Sequence, residues 1–162
     1  MIKLRIFVVS DTHGRIEDFV QFAKKLEKPD LIIHLGDYAD DGFEIERAMN
    51  VDTVVIKGNC DFLMEKRINN EEILTLNGKK VLVTHGHRYN VKMDILDLFY
   101  RAKEEGADLV LFGHTHNPLI VEEEGILFMN PGSPSLPRGF VGKSFGLVNI
   151  EEDIKSKIIE IK

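Results

Sequence analysis

The sequence has little cysteine, no surplus of basic residues and no long apolar run, and each shortage excludes a class of protein. The single cysteine, Cys60, cannot form an internal disulfide, so we expect a reducing, cytoplasmic location. The 21 basic residues are outnumbered by 27 acidic residues, and the net charge is −6. This balance argues against binding to extended nucleic acid or to an anionic membrane, because both need clustered positive charge.

Segments that mark membrane-spanning and secreted proteins are also missing. No apolar stretch approaches the roughly 20 residues that a helix needs to cross a bilayer. The apolar run at residues 6–9 is short and is followed at once by Asp11 and His13, so we expect no signal peptide. With 162 residues and 43% hydrophobic content, we expect one globular domain over residues 1–162.

The sequence does contain a regular alternation of short apolar runs and amphipathic segments. Predicted strands at 4–9, 31–35 and 53–56 alternate with helices at 17–26 and 43–49, an order typical of parallel pairing. Asn77-Gly78 and residues 123–125 predict hairpins, and Gly106 ends a predicted helix over 94–104. Further strands are predicted at 72–76, 80–84, 109–112, 145–150 and 154–161. The fold class is therefore α/β (α+β), with one mixed sheet or two packed sheets and helices outside.

Five polar segments rich in histidine, aspartate and glycine follow predicted strands. They are Asp11-Thr12-His13-Gly14, Gly36-Asp37, Gly58-Asn59-Cys60-Asp61, His85-Gly86-His87 and Gly113-His114-Thr115-His116. Because strand carboxyl ends gather along one edge of an open sheet, we expect these five loops to converge. The glycines permit the sharp turns and close backbone approach that such crowding requires.

The side chains in these loops suit divalent cations. Imidazole and carboxylate groups favour Mn²⁺, Zn²⁺, Fe²⁺, Co²⁺ or Ni²⁺, and the lack of cysteine pairs argues against structural zinc. Seven candidate ligands are too many for one tetrahedral ion, but they suit two ions with open positions for water and substrate. The seven are Asp11, His13, Asp37, Asn59, His85, His114 and His116. Asp37, at a Gly-Asp corner, is the natural bridge between two ions.

Taken singly, the same residues have simpler interpretations. An isolated Asp-x-His is usually a polar loop, and Gly-Asp and Gly-Asn are common turn signals. His34, within an apolar strand, is expected to be a partly buried histidine with its hydrogen bonds satisfied, or a residue that supports a ligand, rather than a ligand itself. His87 either helps to position phosphate or faces solvent, and it is not counted among the ligands. Asn130 and Ser133 are expected to fix a loop close to the site.

The ordered motifs D-x-H, G-D, G-N-x-D, H-G-H and G-H-T-H resemble those of the calcineurin-like metallophosphoesterases. Asn130-Pro131-Gly132-Ser133 also matches their small, YfcE-like phosphodiesterase branch, and the resemblance runs from about residue 6 to residue 133. It implies a four-layer α-β-β-α fold in which two mixed sheets pack as a sandwich between helices. It further implies a first metal bound by Asp11, His13 and His116, a second bound by Asn59, His85 and His114, and Asp37 as the bridge.

The resemblance implies a phosphodiesterase that hydrolyses a small phosphodiester with a hydroxide activated by two metal ions. Mn²⁺ or Ni²⁺ are favoured, and Co²⁺, Zn²⁺, Fe²⁺ and Mg²⁺ are the other candidates. Asn59 and Cys60 are the expected catalytic residues. Many family members have histidine at the position of Cys60, and a neutral thiol is a poorer proton donor than an imidazolium. We therefore expect weaker assistance to the leaving group.

Two other functions are compatible with the resemblance. One is a phosphomonoesterase or nucleotidase of the same fold. The other is a protein–protein scaffold like the retromer subunit, which has a similar fold but has lost parts of the ligand set. Here all seven ligand positions carry competent groups, which disfavours a scaffold without activity. Apolar residues around Phe62 and Leu63 are a candidate homodimer contact.

Overall fold

The structure is a computed structural model that describes residues 2–61, 68–139 and 141–162. Within these residues the chain forms ten β-strands and three α-helices. The helices are α1 (Glu17–Ala23), α2 (Ala39–Met49) and α3 (Leu96–Glu105). The strands are β1 (Leu4–Val9), β2 (Leu31–His34), β3 (Thr53–Val55), β4 (Glu71–Leu76), β5 (Lys79–Thr84), β6 (Leu109–Leu111), β7 (Pro118–Glu123), β8 (Ile126–Pro131), β9 (Ser144–Ile150) and β10 (Ile154–Glu160).

The strands form two five-stranded mixed sheets. The first has the order β10-β9-β1-β2-β3. In it β1, β2 and β3 are parallel, β9 is antiparallel to β1, and β10 is antiparallel to β9. The second has the order β4-β5-β6-β8-β7, with a parallel centre and an antiparallel strand at each edge. The parallel pairs β1–β2, β2–β3 and β5–β6 come from β-α-β segments, and the antiparallel pairs β4–β5, β7–β8 and β9–β10 come from hairpins, as the sequence predicts. The parallel pair β6–β8 and the antiparallel pair β1–β9 join strands that are connected in neither way.

Three apolar cores separate four layers of secondary structure. The central core lies between the sheets and contains buried side chains of β1, β2, β5, β6, β8 and β9, such as Val8, Val83 and Met129. A second core packs α1 and α2 against the outer face of the first sheet, and a third packs α3 against the second sheet. The α-β-β-α prediction is confirmed. Each helix buries one apolar stripe, and each sheet is covered on both faces.

Helix α3 lies within two residues of its predicted bounds, whereas one boundary of each of the other two helices differs by more from the sequence prediction. Helix α1 ends at Ala23 because Lys25 and Leu26 bond to carbonyls three residues back, although Leu26 still packs on the second core. Helix α2 begins at Ala39, four residues before the predicted start. The segment Asp40-Asp41-Gly42 has turn-forming composition, but Gly42 fits the helix, since a Cβ there would lie 2.7 Å from the Val55 side chain.

Two further sequence expectations concern membranes and association. Among the described residues, the structure has no helix both long and apolar enough to span a membrane. Phe62 and Leu63, the candidate homodimer contact, lie outside the described residues.

Candidate metal centre

The loops that follow β1, β2, β5 and β6 meet at one edge of the sandwich and hydrogen-bond to one another. The Asp11 backbone N–H donates to the Gly36 carbonyl, and the His114 N–H donates to the Asp11 Oδ2 atom, both at 3.0 Å. The Gly113 N–H donates to the His85 carbonyl at 2.9 Å. The two sheets are therefore joined at this edge by polar loops, and the histidines and carboxylates are brought into one cluster.

The side chains in this cluster fall into two adjoining groups. Asp11, His13, Asp37 and His116 form the first group, and Asp37, His85 and His114 form the second. Within each group the candidate ligand atoms all lie within 4.8 Å of one another. Among the described residues, Asp37 is common to both groups. Its two oxygens diverge, because Oδ2 lies 3.7 Å from His13 Nε2 and Oδ1 lies 3.5 Å from His85 Nε2.

Two buried atoms in the cluster fit a cation better than they fit any protein partner. Asp11 Oδ1 and His85 Nε2 have no hydrogen-bond partner among residues 2–61, 68–139 and 141–162, although both side chains are fully buried. An unpaired buried polar atom costs about 1–3 kcal/mol. The two atoms lie 3.8 Å apart and face the cluster. A divalent cation would satisfy both, since carboxylate oxygen and imidazole nitrogen are suitable ligands.

Backbone carbonyls orient two of the histidines as ligands. The Nδ1–H groups of His85 and His116 donate to the carbonyls of Leu35 and Leu136, each at 2.7 Å. In the neutral tautomer this leaves each Nε2 lone pair free to face the cluster. His116 Nε2 lies 3.3 Å from His13 Nε2 and 3.3 Å from Asp11 Oδ1. Such outer hydrogen bonds fix ring orientation and raise ligand basicity in metal sites.

The protein without ions already favours the charged carboxylate and neutral imidazoles. Burial alone would raise the pKa of Asp11, but His116, His85 and Ser10 hold it well below its ordinary value. Burial lowers the pKa of His13, and burial followed by the charge of His85 lowers that of His114 to about 4. His116 differs, since its contact with Asp11 raises its pKa. At neutral pH the cluster therefore offers an ionised Asp11 and unprotonated rings at His13 and His114.

A buried carboxylate outside the cluster holds Asp37 in place. Asp61 Oδ2 accepts the backbone N–H groups of Asp37 at 3.0 Å and Gly58 at 2.8 Å, and its Oδ1 accepts that of Ala39 at 2.8 Å. These bonds tie the loop after β3 to the loop after β2 and to the start of α2. Asp61 is the final residue of the G-N-x-D motif, but no role for it is predicted from the sequence.

The loop that carries Asn59 and Cys60 wraps around Asp37. The Cys60 N–H donates to Asp37 Oδ1 at 3.0 Å, and both Asn59 and Cys60 are exposed to solvent. The Asn59 amide contacts Cys60 Sγ at 3.8 Å. Burial, followed by the charge of Asp37, raises the pKa of the Cys60 thiol to about 11. Cys60 is therefore a neutral thiol at physiological pH and a weak proton donor.

His34 lies beside the cluster and not within it, as predicted. It is fully buried, its Nδ1 accepts the Gly36 N–H at 3.1 Å, and its Nε2 lies 2.9 Å from Thr12 Oγ1. Burial lowers the pKa of His34 to about 4, which keeps the ring neutral. Because Nδ1 accepts, Nε2 carries the proton and donates to the hydroxyl. His34 therefore links the loops after β1 and β2.

His87, Asn130 and Ser133 lie around the cluster. The His87 ring centroid is 5.4 Å from that of His85, and burial lowers its pKa. Asn130 Nδ2 donates to the Gly113 carbonyl at 3.0 Å and to Thr115 Oγ1 at 2.9 Å. The Ser133 hydroxyl donates to the Asp11 carbonyl at 2.9 Å. Asn130 and Ser133 thus fix two of the converging loops, as the sequence predicts.

Five of the seven candidate ligands adopt the left-handed backbone conformation. They are Asp11, His13, Asp37, His114 and His116, with φ between 49° and 73°. This region costs a non-glycine residue roughly 1–2 kcal/mol and is retained where the surroundings impose it, often at functional sites. Tyr38, next to Asp37, has φ 65°, and its ring lies 5.3 Å from that of His13.

Close backbone approach explains two of the glycines. A Cβ on Gly58 would lie 2.4 Å from the Asp37 backbone nitrogen and from Asp37 Oδ1. A Cβ on Gly113 would lie 2.0 Å from Ser10 Oγ and 2.8 Å from Asp11 Oδ2. Any side chain at either position would displace an aspartate of the cluster.

Comparisons with known proteins agree with this arrangement. Residues 4–153 match the model of the calcineurin-like phosphoesterase superfamily domain. The probable metallophosphoesterase YsnB of Bacillus subtilis is 38% identical over 93% of this chain and 86% of its own length. Phosphodiesterase MJ0936 of Methanocaldococcus jannaschii is 30% identical over 80% and 83%, and phosphodiesterase YfcE of Escherichia coli is 27% identical over 65% and 55%.

Two solved structures share the fold. A predicted phosphoesterase from Streptococcus pneumoniae superposes with a TM-score of 0.83 at 30% identity, covering 100% of this chain and 94% of that one. Vacuolar Protein Sorting 29 from Cryptosporidium parvum superposes with a TM-score of 0.77, covering 98% of both chains at 14% identity. The second likeness concerns the fold alone.

Proposed function

This chain belongs to the calcineurin-like phosphoesterase superfamily, and from that premise we propose that it hydrolyses small phosphodiesters with two divalent cations. The observation that carries the proposal is the pair of adjoining ligand groups that share Asp37. A shared carboxylate between two sets of imidazole and carboxylate groups is the arrangement that a dinuclear site requires. The phosphodiesterase names of two relatives favour diesters over monoesters.

The proposal divides the side chains between two positions. Asp11, His13 and His116 would hold one cation, Asn59, His85 and His114 would hold the other, and Asp37 would contribute to both positions. Mn²⁺ or Ni²⁺ are the favoured ions, because imidazole-rich sites with carboxylates suit first-row transition metals. We assign Asn59 to the second position because its loop contacts Asp37 on the side of His85. The Cys60 N–H and His85 Nε2 both lie close to the same oxygen, Asp37 Oδ1.

When bound, the cations supply Lewis acidity toward water and toward the phosphoryl oxygens. The chain's residues keep the Asp11 carboxylate ionised and the His13 and His114 rings unprotonated, and backbone carbonyls orient the rings of His85 and His116. The Asn59 amide donates to a non-bridging phosphate oxygen and so stabilises the charge that develops there. A covalent enzyme intermediate on Cys60 is not part of the proposal, because its pKa of about 11 leaves little thiolate.

The same thiol limits how the leaving group departs. A neutral thiol of pKa about 11 transfers a proton to a departing oxygen far less readily than an imidazolium does. The proposed enzyme therefore depends on the acidity of the alcohol that leaves. Diesters of acidic phenols are expected to react faster than diesters of ordinary alcohols. The ratio of the two rates is expected to be larger than in relatives that have histidine at the position of Cys60.

Cys60→His is expected to raise the rate on poor leaving groups by about a hundredfold, the lower end of the usual range for general acid catalysis, and to change the rate on good leaving groups little. The measurement is kcat/KM for wild type and variant across aryl diesters of graded phenol pKa. A shallower dependence on phenol pKa in the variant supports the role of Cys60. An equal change across the whole series contradicts it.

Substrate size and location complete the proposal. The net charge of −6 disfavours tracking along extended nucleic acid, so the substrate is taken to be small. A single domain, a cytoplasmic location and a homodimer remain predictions from the sequence. The likeness to Vacuolar Protein Sorting 29 makes a scaffold the second candidate, and a scaffold needs none of the hydrolytic activity.

The proposal is tested by an activity screen on protein stripped of metal and then reloaded. Mn²⁺, Ni²⁺, Co²⁺, Zn²⁺ and Mg²⁺ are each crossed with a phosphodiester and a phosphomonoester of 4-nitrophenol. We expect turnover of the diester above the monoester with Mn²⁺ or Ni²⁺ and none in excess chelator. Monoester preference with every ion supports a phosphomonoesterase, and no turnover with any pair supports the scaffold.

A further inference from the structure

A cavity of about 430 Å³ opens beside the segment that carries two candidate ligands. Thr115 lines the cavity and lies between His114 and His116 in the sequence. The cavity is therefore next to the metal cluster, on the side of the second sheet. Its volume is within the range of small-molecule sites and exceeds what a single phosphate group needs.

The floor of the cavity is apolar and its wall is fixed. Val91 and Phe112 are buried there, and the partly buried Ile95 adds further apolar surface. The polar groups of the wall already bond to each other, because Asn130 Nδ2 donates to Thr115 Oγ1 at 2.9 Å. The floor thus offers a surface on which a ring packs, and it is held by the same bonds that fix the loop after β6.

Two positively charged side chains, Lys92 and Arg138, lie at the exposed rim of the cavity. Neither side chain forms an ion pair with a carboxylate of the described residues, whereas Lys143 and Arg101 pair with carboxylates elsewhere on the surface. In a protein of net charge −6, a cavity with two positive groups and no negative one among its described lining residues is suited to an anion.

Backbone geometry places the rim beside the cluster. The Arg138 backbone N–H donates to the His116 carbonyl at 3.5 Å, and Thr115 of the cavity lining stands between His114 and His116 in the sequence. The cavity and the cluster are therefore adjacent parts of one surface.

We infer that this cavity binds one arm of the phosphodiester substrate, and that this arm carries a ring or other apolar group and a second anionic group. Val91, Ile95 and Phe112 contact the apolar part, while Lys92 and Arg138 bind the anion. Guanidinium and ammonium groups both bind phosphate, the guanidinium in two-pronged geometry. The inference rests on the proposed function and adds a substrate class to it: diesters with a further phosphate on the arm that is retained.

The activity test uses two substrates that differ by one phosphate. They are thymidine 5′-(4-nitrophenyl phosphate) and the same compound with a 3′-phosphate. We expect wild type to prefer the second by about tenfold or more in kcat/KM, mainly through KM, since charge-assisted hydrogen bonds are worth that much. Lys92→Gln with Arg138→Gln is expected to remove the preference. The control, Lys24→Gln with Lys25→Gln, removes the same charge from the exposed segment just after α1 and should keep the preference.

Binding is measured separately from turnover. Zn²⁺-loaded protein is titrated with thymidine 3′,5′-bisphosphate and with thymidine 5′-phosphate, and backbone amide resonances are followed by NMR. We expect shifts at Lys92, Thr115 and Arg138 and at least about tenfold tighter binding of the bisphosphate. Equal affinity, shifts confined to other loops, or a preference that survives in the double variant overturns the inference. Absence of turnover on both diesters contradicts the proposed function, and the titration still decides the role of the cavity.

Discussion

Asp37→Asn is expected to lower phosphodiesterase activity by about a thousandfold or more at saturating metal. The substitution keeps the shape of the side chain but removes its negative charge. Asp37 is the shared member of the two ligand groups, with one oxygen toward His13 and the other toward His85. An amide has only one oxygen to offer, so it cannot serve both positions with equal strength.

The measurement combines steady-state kinetics with a count of bound Mn²⁺ by equilibrium dialysis. We expect the variant to bind fewer than two ions per chain at concentrations that saturate wild type. Asp40→Asn is the matched control, because this substitution makes the same change of charge at an exposed position in the first turn of α2. If Asp37→Asn keeps most of its turnover, the account based on two ions is wrong.

Asp61→Asn is expected to weaken metal binding and activity by about ten- to a hundredfold, although Asp61 belongs to neither ligand group. Its carboxylate accepts three backbone N–H groups, and the amide NH₂ of asparagine would face at least one of them donor to donor. The loop that carries Asp37 then loses its anchor. We also expect the free energy of unfolding to fall by about 1.5–3 kcal/mol, which is the contribution of a hydrogen bond to a charged group.

Two measurements separate positioning from a general loss of stability. Urea unfolding of metal-free protein gives the free energy of unfolding, and a metal titration of activity gives the apparent metal affinity at a temperature where both proteins are folded. The expected signature is a higher metal requirement that excess Mn²⁺ partly restores. Wild-type stability together with wild-type metal affinity would show that Asp61 does not position Asp37.

Local chemistry made most of the fold predictable. Asn77 and Gly78 both adopt positive φ in the turn between β4 and β5, as the Asn-Gly pair predicts, and Gly106 ends α3 in the left-handed conformation. The start of α2 was missed because Asp40 and Gly42 are turn formers. The helix begins early because Asp61, more than 20 residues away in sequence, accepts the Ala39 N–H, and no local pattern contains that contact.

The candidate ligands were predictable for the same reason, because each follows a strand and strand ends converge. The surrounding residues were not. Asp61 acts through backbone groups of three other positions, and its motif alone does not say whether it binds an ion or a loop. The cavity is lined by segments near residues 91, 112, 118 and 138. These segments are far apart in the sequence, so no local pattern predicts that they meet. Only the packing of the second sheet brings Lys92 and Arg138 to the side of the histidines.

The central claim is that seven side chains from five loops hold two cations, with Asp37 shared between them. Anomalous diffraction from a crystal soaked in Mn²⁺ tests it most directly. The account predicts two peaks roughly 3.5–4 Å apart, one between Asp11, His13 and His116 and one beside His85 and His114. A single peak, or no peak at this edge of the sandwich in a crystal that diffracts well after soaking, would contradict it.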